Sequence, residues 1–178
     1  VTAIAFSVEY YVGGQADPGL RRLAVAFERA GAELAQPGKH IFPRVVPVLE
    51  SALMRQFNAE GAGPDAGKWA PLSARYKAWK DANFPGLPIL ERYGRLRAAL
   101  TMSASPFARR DVSNEALVFG TKNVPYATFH QTGTSRMPAR PPLDLDRQAE
   151  VDLRRAALDG VRDAVREASE GQLEVRGE

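Results

Sequence analysis

The sequence predicts an α+β fold, a small and mostly antiparallel sheet packed against several helices, with a long helix at the C-terminal end. Three observations lead there. Apolar residues recur at helical spacing around 20–34, 46–57, 89–100 and 151–168. Apolar and polar residues alternate over 2–11, the two-residue period of a half-buried strand. Between 101 and 121 the pattern loosens into short extended pieces on either side of a polar turn, which suits a hairpin.

Taken in order, Thr2 to Tyr11 sets Ile4, Phe6, Val8 and Tyr10 on one side of a strand that Gly13-Gly14 ends. Asp17-Pro18 then supplies a cap and a preset first helical residue. Leu20, Leu23, Phe27, Ala30 and Leu34 follow on one face, and the helix should stop at Pro37-Gly38. A second helix starts near Pro43 or Pro47, presents Val46, Leu49, Leu53 and Phe57, and ends by Gly61. Ala62 to Lys68, short and rich in Gly and Pro, reads as a flexible loop. Ser73 caps a short helix holding Tyr76 and Trp79, and Asn83 to Pro88 breaks it. Pro88 opens a further helix from Ile89 to about Leu100, with Leu90, Tyr93, Leu96 and Leu100 on its buried side.

Thr101 to Phe107 and Glu115 to Thr121 are expected to pair across the turn Arg110 to Asn114, with Leu117 and Phe119 on one face. After a proline-rich loop, Asp144 or Asp146 begins the terminal helix, in which Val151, Leu158, Val161, Val165 and Ala168 share a face. Acidic residues in its first turn and Arg162 and Arg166 near its end agree in sign with the helix dipole. The 178 residues form a single domain, a core over 1–143 with a C-terminal helical arm over 144–178.

Composition narrows the function classes. No run approaches the roughly 20 apolar residues of a membrane span, and Val1 to Tyr11 lacks the continuous apolar block of a secretory signal. With no cysteine there is no disulfide and no thiolate metal site, which fits synthesis in a reducing compartment. His40 and His130 have no second ligand at helical spacing, so neither a metal nor another cofactor is expected.

Charge is unevenly spread. Lys68 to Arg110 carries nine basic and two acidic residues, while Asp144 to Glu178 carries ten acidic and six basic. That asymmetry fits an internal match, a match between neighbouring copies, a basic face near nucleic acid, or simply solvated helix faces.

The most informative stretch is Tyr126-Ala127-Thr128-Phe129-His130-Gln131-Thr132-Gly133, followed by Pro138-Ala139-Arg140-Pro141-Pro142. Prolines fix φ and remove backbone donors, so the loop is stiff without joining a sheet. It has no pair of ionisable groups placed for proton relay and no repeated glycines to cradle phosphate. A docking surface is the better reading, and a non-enzymatic protein is expected. His130 with Asp144 or Asp146 and a serine is the only starting point for a hydrolase, and no G-x-S-x-G elbow accompanies it.

Trp69, Arg92, Arg95, Arg97, Tyr126, His130 and Arg140 are the candidate interface residues. Each has a plainer alternative. Trp69 beside Pro71 and Leu72 closes a groove or belongs to the core. His130 either titrates at a contact or hydrogen-bonds a loop carbonyl or a neighbouring subunit. Arg140 either binds phosphate or acts as a fork that pins a loop or grips a partner's carboxylate. Arg92, Arg95 and Arg97, placed on one helix, face nucleic acid, an acidic neighbour or solvent.

The ordered series Phe57, Gly61, Lys68-Trp69-Ala70-Pro71-Leu72-Ser73, Tyr76-x-x-x-Lys80, Ile89-Leu90, Gly94-Arg95-Leu96, Phe119-Gly120-Thr121, Tyr126-Ala127, His130-Gln131-x-Gly133 and Pro138-Ala139-Arg140-Pro141 resembles the virion morphogenesis, or tail-completion, family of long-tailed phages of the Mu-like and P2-like kinds. The resemblance spans Val46 to Leu143. It implies a structural protein that completes the tail or joins it to the head, in a ring of six copies at the neck. Tail tube and head–tail connector proteins would be its partners, DNA would pass through the lumen, and assembly would take place in the host cytoplasm. The chain departs from the family pattern in having Pro142 and Leu143 where an aromatic or aliphatic residue often follows Pro-Ala-Arg-Pro, and the region before Val45 has no family role assigned. The alternative reading is a nucleic-acid-binding phage protein that uses the basic segment 68–110, where Tyr76, Trp79 and Tyr93 are interleaved with the cations.

Overall fold

The structure is a computed structural model that describes residues 11–12, 15–16, 37–61, 67–114 and 116–174. Among these it is an α+β fold of six helices and two small antiparallel sheets. The expected strand Thr2–Tyr11 and helix Leu20–Leu34 lie outside the described residues except for Tyr11. Strand β1 (Tyr11–Val12) pairs with β2 (Gln15–Ala16), Tyr11 opposite Ala16. Where the first helix was expected to stop, α1 (Pro37–His40) makes a single helical turn.

Helix α2 (Phe42–Ala59) carries the centre of the core. Its Leu53 and Phe57 are fully buried, as their spacing predicts. Burying one such side chain stabilises by about 1.5–3 kcal/mol. Pro43 sits in the first turn, and the helix runs on through Pro47. Pro47 leaves only the Pro43 carbonyl without its helical donor, and both prolines lie at the exposed start of the helix, where water can satisfy it. Glu60 in the left-handed region ends the helix, with the Gly61 N–H returning to the Gln56 carbonyl at 3.1 Å. The expected loop beyond lies outside the described residues up to Gly67, and Gly61 then pairs with Lys68 in an antiparallel bridge.

Helix α3 (Ala74–Asn83) starts where the sequence places it, the Ser73 hydroxyl accepting the Tyr76 N–H at 3.4 Å. The next helix does not begin at Ile89. Leu90 (φ 64°) and Gly94 (φ 70°) both occupy the left-handed region, so residues 88–94 form a folded loop, and α4 is only Arg95–Thr101. Leu96 and Leu100 are buried as expected, but Tyr93 is 65% exposed. Residues 102–107 are consecutive turns around Pro106, with Ser105 accepting the Phe107 N–H at 3.2 Å. The hairpin therefore starts later than expected. Strand β3 (Ala108–Val112) pairs with β4 (Leu117–Thr121), which puts Arg110 inside a strand opposite Phe119. Leu117 and Phe119 do lie on the more buried face.

Arg110 holds the hairpin to the helices. Its guanidinium donates to the carbonyls of Ala99, Leu100 and Gly120, pairs with Glu50 at 3.0 Å, and lies 3.6 Å from the Phe119 ring centre. Capping the last carbonyls of α4 with a cation also suits that helix's dipole. Helix α5 (Ala127–Thr132) follows the hairpin.

The terminal helix α6 (Arg147–Glu174) has the Asp146 carboxylate accepting the Ala149 N–H at 2.7 Å, in agreement with the expected start. Its buried face shares only Ala168 with the expected one, and Val161 is half-buried. Ala149, Ala156, Ala164 and Ala168 are buried together with Gly160, while Val151, Leu158 and Val165 are 48%, 59% and 46% exposed. The helix packs along α2, and small side chains let the two backbones approach. Arg162 and Arg166 fall mid-helix, because α6 runs on to Glu174; the first turn holds Glu150 and the last turn has no basic residue, so the expected dipole pattern is reduced to its acidic start. Asp152 pairs with Arg55 at 3.3 Å, Asp163 with Arg44, and Glu167 with Lys39 and His40. Much of the acidic charge of the terminal segment is thus matched within the chain, by α1 and α2 rather than by the basic middle.

Candidate functional site

The proline loop is built from its arginine outward. Arg140 is 4% exposed and has no carboxylate partner among the described residues; its Nε donates to the Ala70 carbonyl at 2.6 Å and its Nη2 to the Pro71 carbonyl at 2.8 Å, while its own N–H reaches the His130 carbonyl at 2.8 Å. Next to it, the Pro141 carbonyl accepts the Trp69 indole N–H at 3.0 Å and the Gln56 amide at 2.9 Å. Trp69, edge-on to Phe57 with ring centres 5.3 Å apart, is a core residue with one polar duty. The segments 68–73 and 138–142 are thereby locked to each other and to α2. Proline carbonyls and a buried guanidinium do this without sheet pairing, the structural role the residues around Arg140 suggested.

Beside this lock opens a cleft of about 550 Å³. Helix α3 contributes Tyr76 and Lys80, the folded loop contributes Leu90 to Gly94, α4 contributes Arg95 and Leu96, and Tyr126, His130, Arg136, Met137 and Arg140 close it from the other side. Arg92, Arg95, Tyr126, His130 and Arg140 are therefore brought together around one cleft. Trp69 lies in the core behind them. Arg97 is also elsewhere, pairing with Glu91 at 2.5 Å and with Asn58 at 2.6 Å, because Arg92 precedes α4 and Arg97 points away from Arg95 around the short helix.

The cleft is cationic. Lys80, Arg92, Arg95, Arg136 and Arg140 line it against Glu91, whose carboxylate Arg97 already holds. Lys80 is 4% exposed; its ammonium donates to the Leu87 carbonyl at 2.8 Å and to that of Pro88, and burial lowers its pKa from the ordinary lysine value against the raising effect of Glu60 and Glu91. The His130 imidazole is held below the ordinary histidine value, first by burial and then by the Arg140 charge. It is therefore neutral at physiological pH, and its Nδ1 is buried with no hydrogen-bond partner among the described residues. The Tyr126 ring meets it edge-on with centres 5.9 Å apart.

One rim is aromatic. Tyr76 stacks on Trp79 at 5.5 Å, Trp79 meets Phe84 at 5.7 Å, and Phe84 meets Tyr93 at 5.6 Å. The Arg92 guanidinium lies 5.0, 5.1 and 4.8 Å from the centres of Trp79, Phe84 and Tyr93, within cation–π range of all three. Rings hold this cation in place, and among the described residues it has no carboxylate partner. Reading the sequence did not name Lys80, Arg136 or Arg110 as site residues, although Lys80 stands in the Tyr76-x-x-x-Lys80 motif and Arg110 at the expected turn. Lys80 had a signal, since Tyr76 and Lys80 are four residues apart and share a helix face. Arg110 and Arg136 had none, because strand register and loop path decide where they point.

Among the described residues no group of three or more His, Asp or Glu side chains is placed to hold a metal ion. No described helix is long and apolar enough to cross a membrane. The arrangement is suited to holding an anionic partner against an aromatic rim, with arginines that need no reorganisation to pair with carboxylate or phosphate.

Compared with known proteins, the chain matches the phage virion morphogenesis family over residues 20–162. That span includes α2, the hairpin, every residue of the cleft and the first half of α6, and it extends past the Val46–Leu143 resemblance at both ends. No curated protein and no solved structure gave a match. Matched over well more than half its length, with the cleft and its proline lock inside the matched span, the chain belongs to the phage virion morphogenesis family.

Proposed function

We propose that this chain is a structural ring subunit, of six copies, that completes the phage tail or joins it to the head at the neck. Family membership carries the broader statement, a part in building the phage particle. The observation that carries the finer one is the row Val151, Leu158 and Val165, spaced by seven residues along α6 and turned away from the buried Ala149, Ala156, Gly160 and Ala164. An apolar row opposite the core-facing side of a helix, exposed among the described residues, suits contact with another subunit or with a tail or connector protein.

In this reading the protein acts by shape, without chemical turnover. Stiff loops such as 138–142 lose little freedom when an interface forms, and a closed ring offers one face to the tail tube and the other to the connector. DNA passes through its lumen. A second reading, nucleic-acid binding through segment 68–110, is favoured by the 41%, 41% and 65% exposure of Tyr76, Trp79 and Tyr93 around Arg92.

Native mass spectrometry of the purified chain, together with localisation in the intact particle, tests the first reading. A closed multimer found at the neck is expected. A chain that stays monomeric at every concentration and is missing from the particle would overturn it. A steep, salt-dependent shift of single-stranded DNA by such a monomer would establish the second.

A further inference from the structure

Among the described charges without an ion pair, which also include Lys68, Arg75, Lys122, Glu150, Arg154 and Arg155, two groups lie far apart. One is the cleft, where Arg92, Arg95 and Arg136 have no carboxylate in ion-pair reach among the described residues. The other is the far end of α6. Along that helix Asp152, Asp163 and Glu167 are taken by Arg55, Arg44 and Lys39, and Asp159 by Arg162 at 2.8 Å. Glu170 is exposed with no ion pair among the described residues, and Glu174 follows one turn later in the helix.

These two places cannot meet within one chain. The pairs Arg55–Asp152, Arg44–Asp163 and Lys39–Glu167 show α6 running antiparallel to α2. The cleft lies at the C-terminal end of α2: Glu60 accepts the N–H of Ile89, next to cleft residue Leu90, and Gln56 donates to Pro141, next to Arg140. Glu170 lies beyond the opposite end. At 1.5 Å per residue the 18 residues of α2 span about 27 Å, so the acidic end of α6 is on the order of 30 Å from the cleft.

We propose that the cleft receives the acidic end of α6, Glu170 to Glu174, from a neighbouring copy of this chain. The proposal rests on the ring reading above and names its joint. Complementary surfaces at opposite ends of one subunit give a head-to-tail contact, which closes into a ring when the rotation allows. Guanidinium groups fixed on aromatic faces meet the carboxylates already oriented, and the apolar cleft walls of Leu72, Leu90 and Met137 exclude water from the pairs.

The experiment is a charge exchange on the full chain, read by sedimentation velocity and native mass spectrometry at physiological ionic strength. Arg92→Glu with Arg95→Glu, and separately Glu170→Arg with Glu174→Arg, should each weaken self-association by about a hundredfold or more. Thermal melts monitor the fold, and the exposed positions of Arg92, Arg95 and Glu170 make both variants compatible with it. All four changes in one chain should restore the multimer to within about tenfold of the parent. A parent that forms rings while either double variant associates normally, or while the fourfold variant stays dissociated, overturns the joint and leaves the ring standing. A parent that never associates overturns both. Intact rings in which Arg92→Glu with Arg95→Glu abolishes single-stranded DNA retention assign the cleft to nucleic acid instead.

Discussion

Gly160 offers a test in which tertiary packing reverses the sign that local propensity sets. A Cβ built on it lies 2.6 Å from the His40 carbonyl oxygen and 2.9 Å from the Ile41 Cα. Both are backbone atoms, so neither can rotate aside, and Gly160→Ala must push α6 away from the α1–α2 junction. Overpacking of this kind costs about 1–3 kcal/mol. Separation of the helices also loosens the ion pairs of Glu167 with Lys39 and of Asp163 with Arg44, which are partly exposed and worth about 0–1 kcal/mol each. Against this, alanine gains about 1 kcal/mol over glycine in a helix interior. The balance is a net loss of up to about 4 kcal/mol, centred near 2, where an unpacked helix would gain about 1. For a chain of this size each kcal/mol shifts Tm by about 2–4 °C, so urea and thermal unfolding followed by circular dichroism should place Gly160→Ala below the parent and Gly160→Val lower still. A Gly160→Ala variant with a raised midpoint and unchanged m-value would refute the argument that α6 depends on close backbone approach.

Other positions give further expectations. Gly133 adopts φ 74° and ψ −177°, and a Cβ there would sit 2.8 Å from the Ala139 N; Gly133→Ala should destabilise by about 3 kcal/mol or more and disorder the proline loop, read by unfolding midpoints and by amide exchange at 134–140. Arg140→Lys keeps the charge but cannot reach both the Ala70 and Pro71 carbonyls, so it should lose about 1.5–3 kcal/mol in urea titration, and an unchanged midpoint would remove Arg140 as the lock. Trp69→Phe removes the donor to Pro141, which Gln56 still serves, and should cost about 1–2 kcal/mol by the same assay. His130 titrates below 6.5 when folded and near 6.5 when unfolded, so the unfolded chain binds its proton first as pH falls. Its contribution is complete above 6.5, declines below it, and levels off beneath the depressed folded value. His130→Asn should flatten that part of the stability curve between neutral and mildly acidic pH, and parallel curves would count against the buried neutral imidazole.

Much of the architecture can be read along the chain, because the responsible forces act within a few residues. The hydroxyl of Ser73 and the carboxylate of Asp146 cap the helices that follow them, and Leu53 and Phe57 recur at a helical interval on the buried side of α2. The order of short motifs from Phe57 to Pro141 was enough to point to the family. Other features depend on what lies across the fold. Periodicity placed Tyr93 inside a helix, but Leu90 and Gly94 in left-handed conformations turn residues 88–94 into a wall of the cleft, stabilised by the contacts of Lys80 and Glu60. Pairing register, unlike alternation, put Arg110 under α4 rather than in a turn.

Composition, capping chemistry and helical periodicity settled the class of fold and several helix positions, which are matters of local sterics, while the fixed order of short motifs pointed to the phage virion morphogenesis family. Packing alone chose which side of α6 is buried. Hydrophobicity favours its valines and leucine, whereas backbone approach to α1 and α2 admits only Ala and Gly, and that steric limit leaves the larger side chains facing outward. A separate tertiary contact, the lock between segments 68–73 and 138–142, helps to bring Arg92, Arg95, His130 and Arg140 together from three separate segments, a convergence that no distance along the chain encodes.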